Sequence, residues 1–455
     1  MDEDDEINDE NIENPEEDAD LEDDVVPIFK KNTGIMQTST LLKDSLGIQK
    51  GVPQDYFIKL SKIPIGTMRP LSKYKTKAEM LKEVVYFPLN LQYGDATSIL
   101  FVGSPGTFKS TMAKRFIDYF YNSGALCCAF DLGSESLSTT MGYKGSGQRL
   151  HPYEKPNALP VVNYLPYYVI QNETGGVILD EHKKSTIFSE DVNEYKEVQD
   201  WTNFGLSDNA INYILTALSK KKTTKDIQKA LLSRKDKTIQ KMGTAHGTRQ
   251  SLSGRMGRLL SGGYFKDNYD AMDMISHWYN SVGNTYSKKR NGEIPLVTFK
   301  GVEPTWMSNI YHKTLVKIRR FCVDSRMYDP KLFFVDDAQL VCGTEMDETN
   351  SAVMTTKNSL EIWRKFGFNM MFATQRPDRI NPVVPSTVKW IFCSRVNDLS
   401  FLKNRTTFDK TILRVISNLE YDPGRHLVQW IMVYPNQYRY ETYYPFYSRQ
   451  LMFSK

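Results

Sequence analysis

An α/β fold built on a largely parallel sheet, with helices on both faces, is predicted by three features of the sequence. Continuous apolar runs of strand length occur near both ends of the chain, stretches of helical period separate them, and glycine-rich or acidic turns stand where the runs stop. A sheet covered on both faces requires such fully apolar strands, because neither face meets water.

The elements follow in order. Ser98-Ile-Leu-Phe-Val102 reads as a buried strand, and Lys109 to Tyr121 as a helix, since Met112, Phe116 and Phe120 recur at helical spacing. Ala125 to Phe130 is the next strand, ending at Asp131. Strand, glycine loop, helix and strand in this order make a βαβ unit. The same alternation returns late in the chain. Trp306 to Cys322 reads as a helix, Leu332-Phe-Phe-Val335 as a strand, Ser351 to Phe366 as a helix and Asn369 to Ala373 as a strand. Val388 to Cys393, Asp409 to Leu419 and Leu427 to Val433 then read as strand, helix and strand. The pattern predicts one core in two parts, 91–145 and 291–455, interrupted by a helical, basic insertion over 146–290, and preceded by an acidic tail (1–26) and a linker with a small cap (27–90).

With 455 residues, 40% hydrophobic and 12% aromatic, the chain can bury a large core. No window approaches 18 uninterrupted apolar residues and the start is acidic, so an integral membrane segment and classical secretion are not expected. Cys127, Cys128, Cys322, Cys342 and Cys393 form no CxxC pair, which points to a reduced, intracellular protein without structural zinc.

The net charge of +4 conceals an asymmetry. Asp2 to Asp24 holds 15 carboxylates and no Lys or Arg, leaving 58 basic against 39 acidic residues in the remainder, a net of +19. A body this basic attracts polyanions, and the like-charged tail is expected to be disordered. The insertion concentrates the charge. Residues 219–258 carry 12 Lys or Arg, including Lys220, Lys221, Lys222, Lys225, Lys229 and Arg234, against two Asp. Tyr195 to Ser219 and Thr224 to Met242 read as its helices, and so large an excess of basic residues, with few carboxylates to pair with, suits phosphate contacts.

Gly103-Ser104-Pro105-Gly106-Thr107-Phe108-Lys109-Ser110-Thr111 lies between a strand and a helix, as a phosphate-binding loop must. Small residues let backbone N–H groups face phosphates, Lys109 reaches the β and γ phosphates of ATP, and Ser110 holds Mg²⁺ at a helix N-terminus that favours anions. Phe108 stands where the common pattern has a second glycine. Phe fits there without strain only if its φ is negative. Leu332-Phe-Phe-Val-Asp336-Asp337 supplies a carboxylate for the metal, Asp336, and a general base, Asp337. The base is more usually Glu, so the shorter Asp337 allows slow hydrolysis. Gln375, in Met370-Met-Phe-Ala-Thr-Gln-Arg-Pro377, offers an amide that could sense the γ-phosphate or orient the water.

These segments, with Trp363-Arg-Lys-Phe-Gly367 and a strand ending Cys393-Ser-Arg395, resemble the FtsK/HerA superfamily of DNA-pumping P-loop ATPases over about residues 90–145 and 290–450. The resemblance implies a RecA-like core assembled as a homo-hexamer, ATP and Mg²⁺ at the subunit interfaces, and double-stranded DNA through the middle. It also implies an arginine finger, with Arg395 first and Arg376 and Arg405 behind it, a membrane or capsid partner, and a cytoplasmic or virion-associated location. Two other readings stay open on the residues: a nucleotide-binding switch with little hydrolysis, motivated by Phe108 and Asp337, and a RecA/KaiC-like ATPase assembling on DNA, motivated by Phe130 to Ser136.

Overall fold

A computed structural model describes most of residues 63–132, 195–219, 294–396 and 410–449, with strands at 29–30, 161–166 and 185–188 and scattered positions elsewhere. The acidic tail lies outside the described residues, as does nearly all of Thr224 to Met242.

Among the described residues one mixed sheet organises the molecule. Its strands are β1 (Phe29–Lys30), β2 (Ile63–Thr67), β3 (Val84–Phe87), β4 (Ser98–Val102), β5 (Leu126–Asp131), β6 (Val161–Pro166), β7 (Ser185–Phe188) and β8 (Ile294–Thr298). They continue as β9 (Lys331–Asp336), β10 (Phe368–Thr374), β11 (Trp390–Cys393), β12 (Tyr421–Asp422), β13 (Leu427–Tyr434), β14 (Glu441–Tyr443) and β15 (Phe446–Arg449). The main path runs β3-β2-β15-β13-β11-β4-β10-β9-β5-β8-β6-β7. From β11 to β7 every neighbouring pair is parallel. On the other side β13, β15, β2 and β3 add an antiparallel edge.

The alternation of side chains explains why the strands are apolar throughout. Leu100, Val102, Phe333, Val335, Met370 and Phe372 enter the core on one face. Ile99, Phe101, Leu332, Phe334, Met371 and Ala373 enter the core on the other. Helix α1 (Lys109–Ser123) covers the second face with Met112, Phe116 and Phe120, as its spacing predicts. The first face is covered from further along the chain, where α2 (Gln199–Thr202), α3 (Asp208–Leu218), α4 (Pro304–Asp324) and α5 (Ser351–Glu361) contribute Trp201, Ile214, Tyr311, Leu315 and Ala352. Helix α6 (Lys410–Ser417) adds Ile416 to the same core. All five cysteines are buried thiols.

Three expectations are refined. The single helix expected over Tyr195 to Ser219 is two, because Ser207 is extended and its hydroxyl accepts the Ala210 N–H, restarting the helix. The helix expected to Phe366 ends at Glu361 and gives way to a 3₁₀ turn, closed by Gly367 at φ 79°. Within the stretch expected to be helical, β6 and β7 extend the sheet beyond β8. No described helix is long and apolar enough to cross a membrane.

Candidate functional site

Ligands of open α/β sheets sit beyond the carboxyl ends of the strands, and here those ends gather the residues singled out above. β4 ends at Val102 and passes into the loop; β9 ends at Asp336, β10 at Thr374, β5 at Asp131 and β11 at Cys393. Register aligns Val102 with Thr374 and with Cys393, and Asp336 with Asp131.

The loop is held by its own bonds. The Thr107 hydroxyl donates to the Ser104 carbonyl at 2.7 Å, and the Ser104 N–H donates to the Arg395 carbonyl at 3.1 Å. Pro105 and Gly106 are exposed while Thr107, Lys109 and Thr111 are buried. Gly106 has φ +80°, open to glycine at little cost. Phe108 does not meet the condition of a negative φ: it adopts +66°. The loop needs a left-handed residue just before Lys109 to start α1, and a side chain in that conformation costs about 1–2 kcal/mol. Packing of the half-buried Phe108 ring against the core under α1 offsets part of that strain.

Lys109 turns its ammonium inward, donating to the carbonyls of Gly103 at 2.9 Å and Ser104 at 3.1 Å. Burial lowers its pKa to about 8, against the pull of Asp336 and Asp337 in the other direction. The Ser110 hydroxyl donates to Asp336 Oδ2 at 2.7 Å across 226 residues of sequence. Asp336 is 4% exposed, and its pKa is pushed up to about 6, first by burial and then by the charge of Asp337. Ser110, Lys109 and the Asp337 N–H pull it back down. A hydroxyl and a carboxylate within hydrogen-bond distance are both hard oxygen donors, and the carboxylate's ionised form is disfavoured as it stands. That pair fits a divalent cation such as Mg²⁺.

Asp337 is also left-handed, at φ 52° and ψ 47°, which turns its carboxylate from the β9 axis toward β10. There its Oδ1 accepts the Gln339 and Gln375 side-chain amides, each at 3.3 Å. Thr374 fixes this arrangement, donating to Gln339 Oε1 at 2.8 Å and accepting the Arg376 N–H at 3.1 Å. Gln375 is exposed, and its amide reaches Asp337. Gln339 and Thr374 were not singled out by the sequence. Their signal was present, in the polar residues directly after each apolar strand.

The remaining candidates divide. Arg395 is exposed, and its backbone touches the loop of its own chain. Arg376 is exposed beside Gln375. Arg405, Lys220, Lys221, Lys222, Lys225 and Arg234 lie outside the described residues, and Lys229 is exposed.

No protein-family model matches the sequence. No curated protein matches it either. Among solved structures, VirB4 of Thermoanaerobacter pseudethanolicus superposes with a TM-score of 0.53 at 12% identity, over 87% of this chain and 97% of that one. The chain shares its fold with that VirB4 structure. Within this shared fold, β4 leads into the glycine loop, and β9 ends at the first of the paired aspartates. Lower TM-scores relate it to the plasmid coupling protein TrwB in complex with ADPNP (0.45, 9% identity, 78% of this chain and 86% of that one). The genome packaging NTPase B204 from Sulfolobus turreted icosahedral virus 2, in complex with ATP-gammaS, scores 0.35 (9% identity, 79% of this chain and 99% of that one).

Proposed function

We propose that this protein is an ATPase that uses hydrolysis to move double-stranded DNA, working as a ring, most simply a homo-hexamer, in DNA transfer or genome packaging. The observation that carries the reading is the 2.7 Å contact between Ser110 and Asp336, which joins the phosphate loop to the strand bearing both carboxylates.

In this reading the loop from Gly103 to Thr111 wraps the phosphates with backbone N–H groups. Lys109, freed from the Gly103 and Ser104 carbonyls, neutralises the β and γ oxygens. Ser110 and Asp336 would hold Mg²⁺, which when bound would supply charge neutralisation across the phosphates. Asp337 accepts a proton from the attacking water, and Gln375, already bonded to Asp337, orients that water and registers the γ-phosphate. Arg395 borders its own loop, so it suits a cation acting on the nucleotide of its own subunit, and Arg376, exposed at the end of β10, is the better candidate for a neighbouring site. DNA contact falls to the basic stretch that contains Lys220, Lys221, Lys222, Lys225, Lys229 and Arg234, which reads backbone charge and not sequence.

A second reading has specific support. Phe108 and Asp337 both hold strained left-handed backbone, which suits a nucleotide-dependent switch that hydrolyses slowly. Steady-state ATP hydrolysis with and without duplex DNA, with particle mass measured alongside, separates the two. A motor shows DNA-stimulated turnover that Lys109→Ala removes, in a particle several protomers in mass. Turnover no higher than that of Lys109→Ala leaves the switch.

A further inference from the structure

The phosphate loop is flanked on its far side by a pair of aromatic rings for which phosphate chemistry has no use. The paired carboxylates lie to one side of β4, beyond β10 on β9. A nucleoside triphosphate whose terminal phosphate points at Asp336 and Asp337 therefore sends its nucleoside the other way, toward β11 and the antiparallel edge. On that side β12 pairs with β13, and β12 places Tyr421 against the loop. Its hydroxyl sits so close to Gly106 that a Cβ there would lie 2.7 Å from it. Its ring centroid is 6.4 Å from that of Phe108, the two planes tilted by 58°. Both rings are half-buried and rest on the same core cluster, so each is anchored while staying partly exposed.

We infer that Tyr421 and Phe108 form a cradle for the nucleobase, with Tyr421 giving the stacking face. This rests on the ATPase reading above and assigns the other end of the same ligand. It also accounts for Phe108: the left-handed backbone that costs energy in the loop is what turns the ring toward Tyr421. A flat π face recognises any base, so the cradle adds affinity for nucleotides over bare polyphosphate without strong discrimination among them.

The test measures equilibrium binding of Mg·ATP and of Mg·tripolyphosphate to the full chain. Tyr421→Leu keeps apolar volume on β12 without the aromatic face, and Tyr421→Phe keeps the face. The expected result is that Tyr421→Leu weakens ATP binding by about ten- to a hundredfold, tripolyphosphate binding stays as in the parent, and Tyr421→Phe retains the parent's ATP affinity. Unchanged ATP binding in Tyr421→Leu, or an equal loss for both ligands, overturns the cradle while leaving the phosphate site standing. A parent protein that binds neither ligand overturns the ATPase reading and the cradle with it.

Discussion

Replacing Asp336 by Asn should make the empty protein more stable while removing its response to magnesium nucleotide. The folded carboxyl titrates near pH 6 against 3.8 in the unfolded chain, because burial and Asp337 oppose its charge. Each pKa unit corresponds to about 1.4 kcal/mol, so holding Asp336 ionised at pH 8 costs the fold about 3 kcal/mol. The sign follows from the direction of the shift. A carboxyl with a raised folded pKa stabilises only while protonated, so its contribution is intact below pH 4 and is lost as pH rises through 6. Asn is neutral throughout and keeps one oxygen for the Ser110 hydroxyl, while the Asp337 N–H loses its acceptor, an offset of about 1 kcal/mol against the variant at every pH. Relative to the parent, the variant should therefore gain about 3 kcal/mol between pH 4 and pH 8, with roughly half of that gain reached at pH 5. For a chain of this size that is a shift of about 3 °C in Tm relative to the parent between those two pH values. Thermal and urea unfolding with divalent ions chelated measure it, and a parallel series with Mg·ATP should stabilise the parent but not the variant. A variant that is less stable than the parent at pH 8 without ligand, or an advantage that does not change with pH, would refute the reasoning.

Other outcomes are equally specific. Asp200 holds the buried Lys313 ammonium, and its carboxyl sits below the usual range because the His312 hydrogen bond and Lys313 outweigh its burial. Asp200→Leu should cost about 3–5 kcal/mol by removing the carboxylate that pairs with that ammonium, while Asp200→Leu with Lys313→Met should recover most of the loss, and unfolding of the parent and the two variants tests it. Under the proposed mechanism, in which its amide orients the attacking water, Gln375→Ala should lower kcat by about a hundredfold or more with little change in ATP affinity; a change confined to KM would argue against that role. Neutralising Lys220, Lys221 and Lys222 together should weaken duplex DNA binding and make log K against log salt shallower by up to about 3, leaving ATP binding intact; an unchanged slope removes this segment from the DNA path.

The parallel half of the sheet was legible because its strands have no wet face. Runs such as Leu332 to Val335 and Asn369 to Ala373 announce themselves without any knowledge of their neighbours, and the polar residue ending each run marks the site. Less legible was whatever depends on partners far away in sequence. The edge strands β6 and β7, and the antiparallel joining of β11 to β13, carry no periodicity that reveals which strand lies beside them. Tyr421 stands in a strand of two residues, too short for any pattern, and its closeness to Gly106 follows only from β12 packing beside β13. Phe108 shows a different limit. Residue identity leaves the sign of φ open, and the loop's need for a left-handed turn overrides the preference of the side chain.

Both hydrogen-bonding neighbours of β4 come late. β10 begins at Phe368 and β11 at Trp390, whereas β4 is complete at Val102. During synthesis the apolar segment Ser98 to Val102 therefore waits for more than half of the polypeptide before either flank is paired, at the translation speeds of living cells a delay of some tens of seconds. Such long-range closure folds slowly and leaves a sticky ribbon exposed in the meantime. Chaperone assistance during production, and failure of any fragment truncated before residue 368 to stay dispersed, follow from that order of assembly.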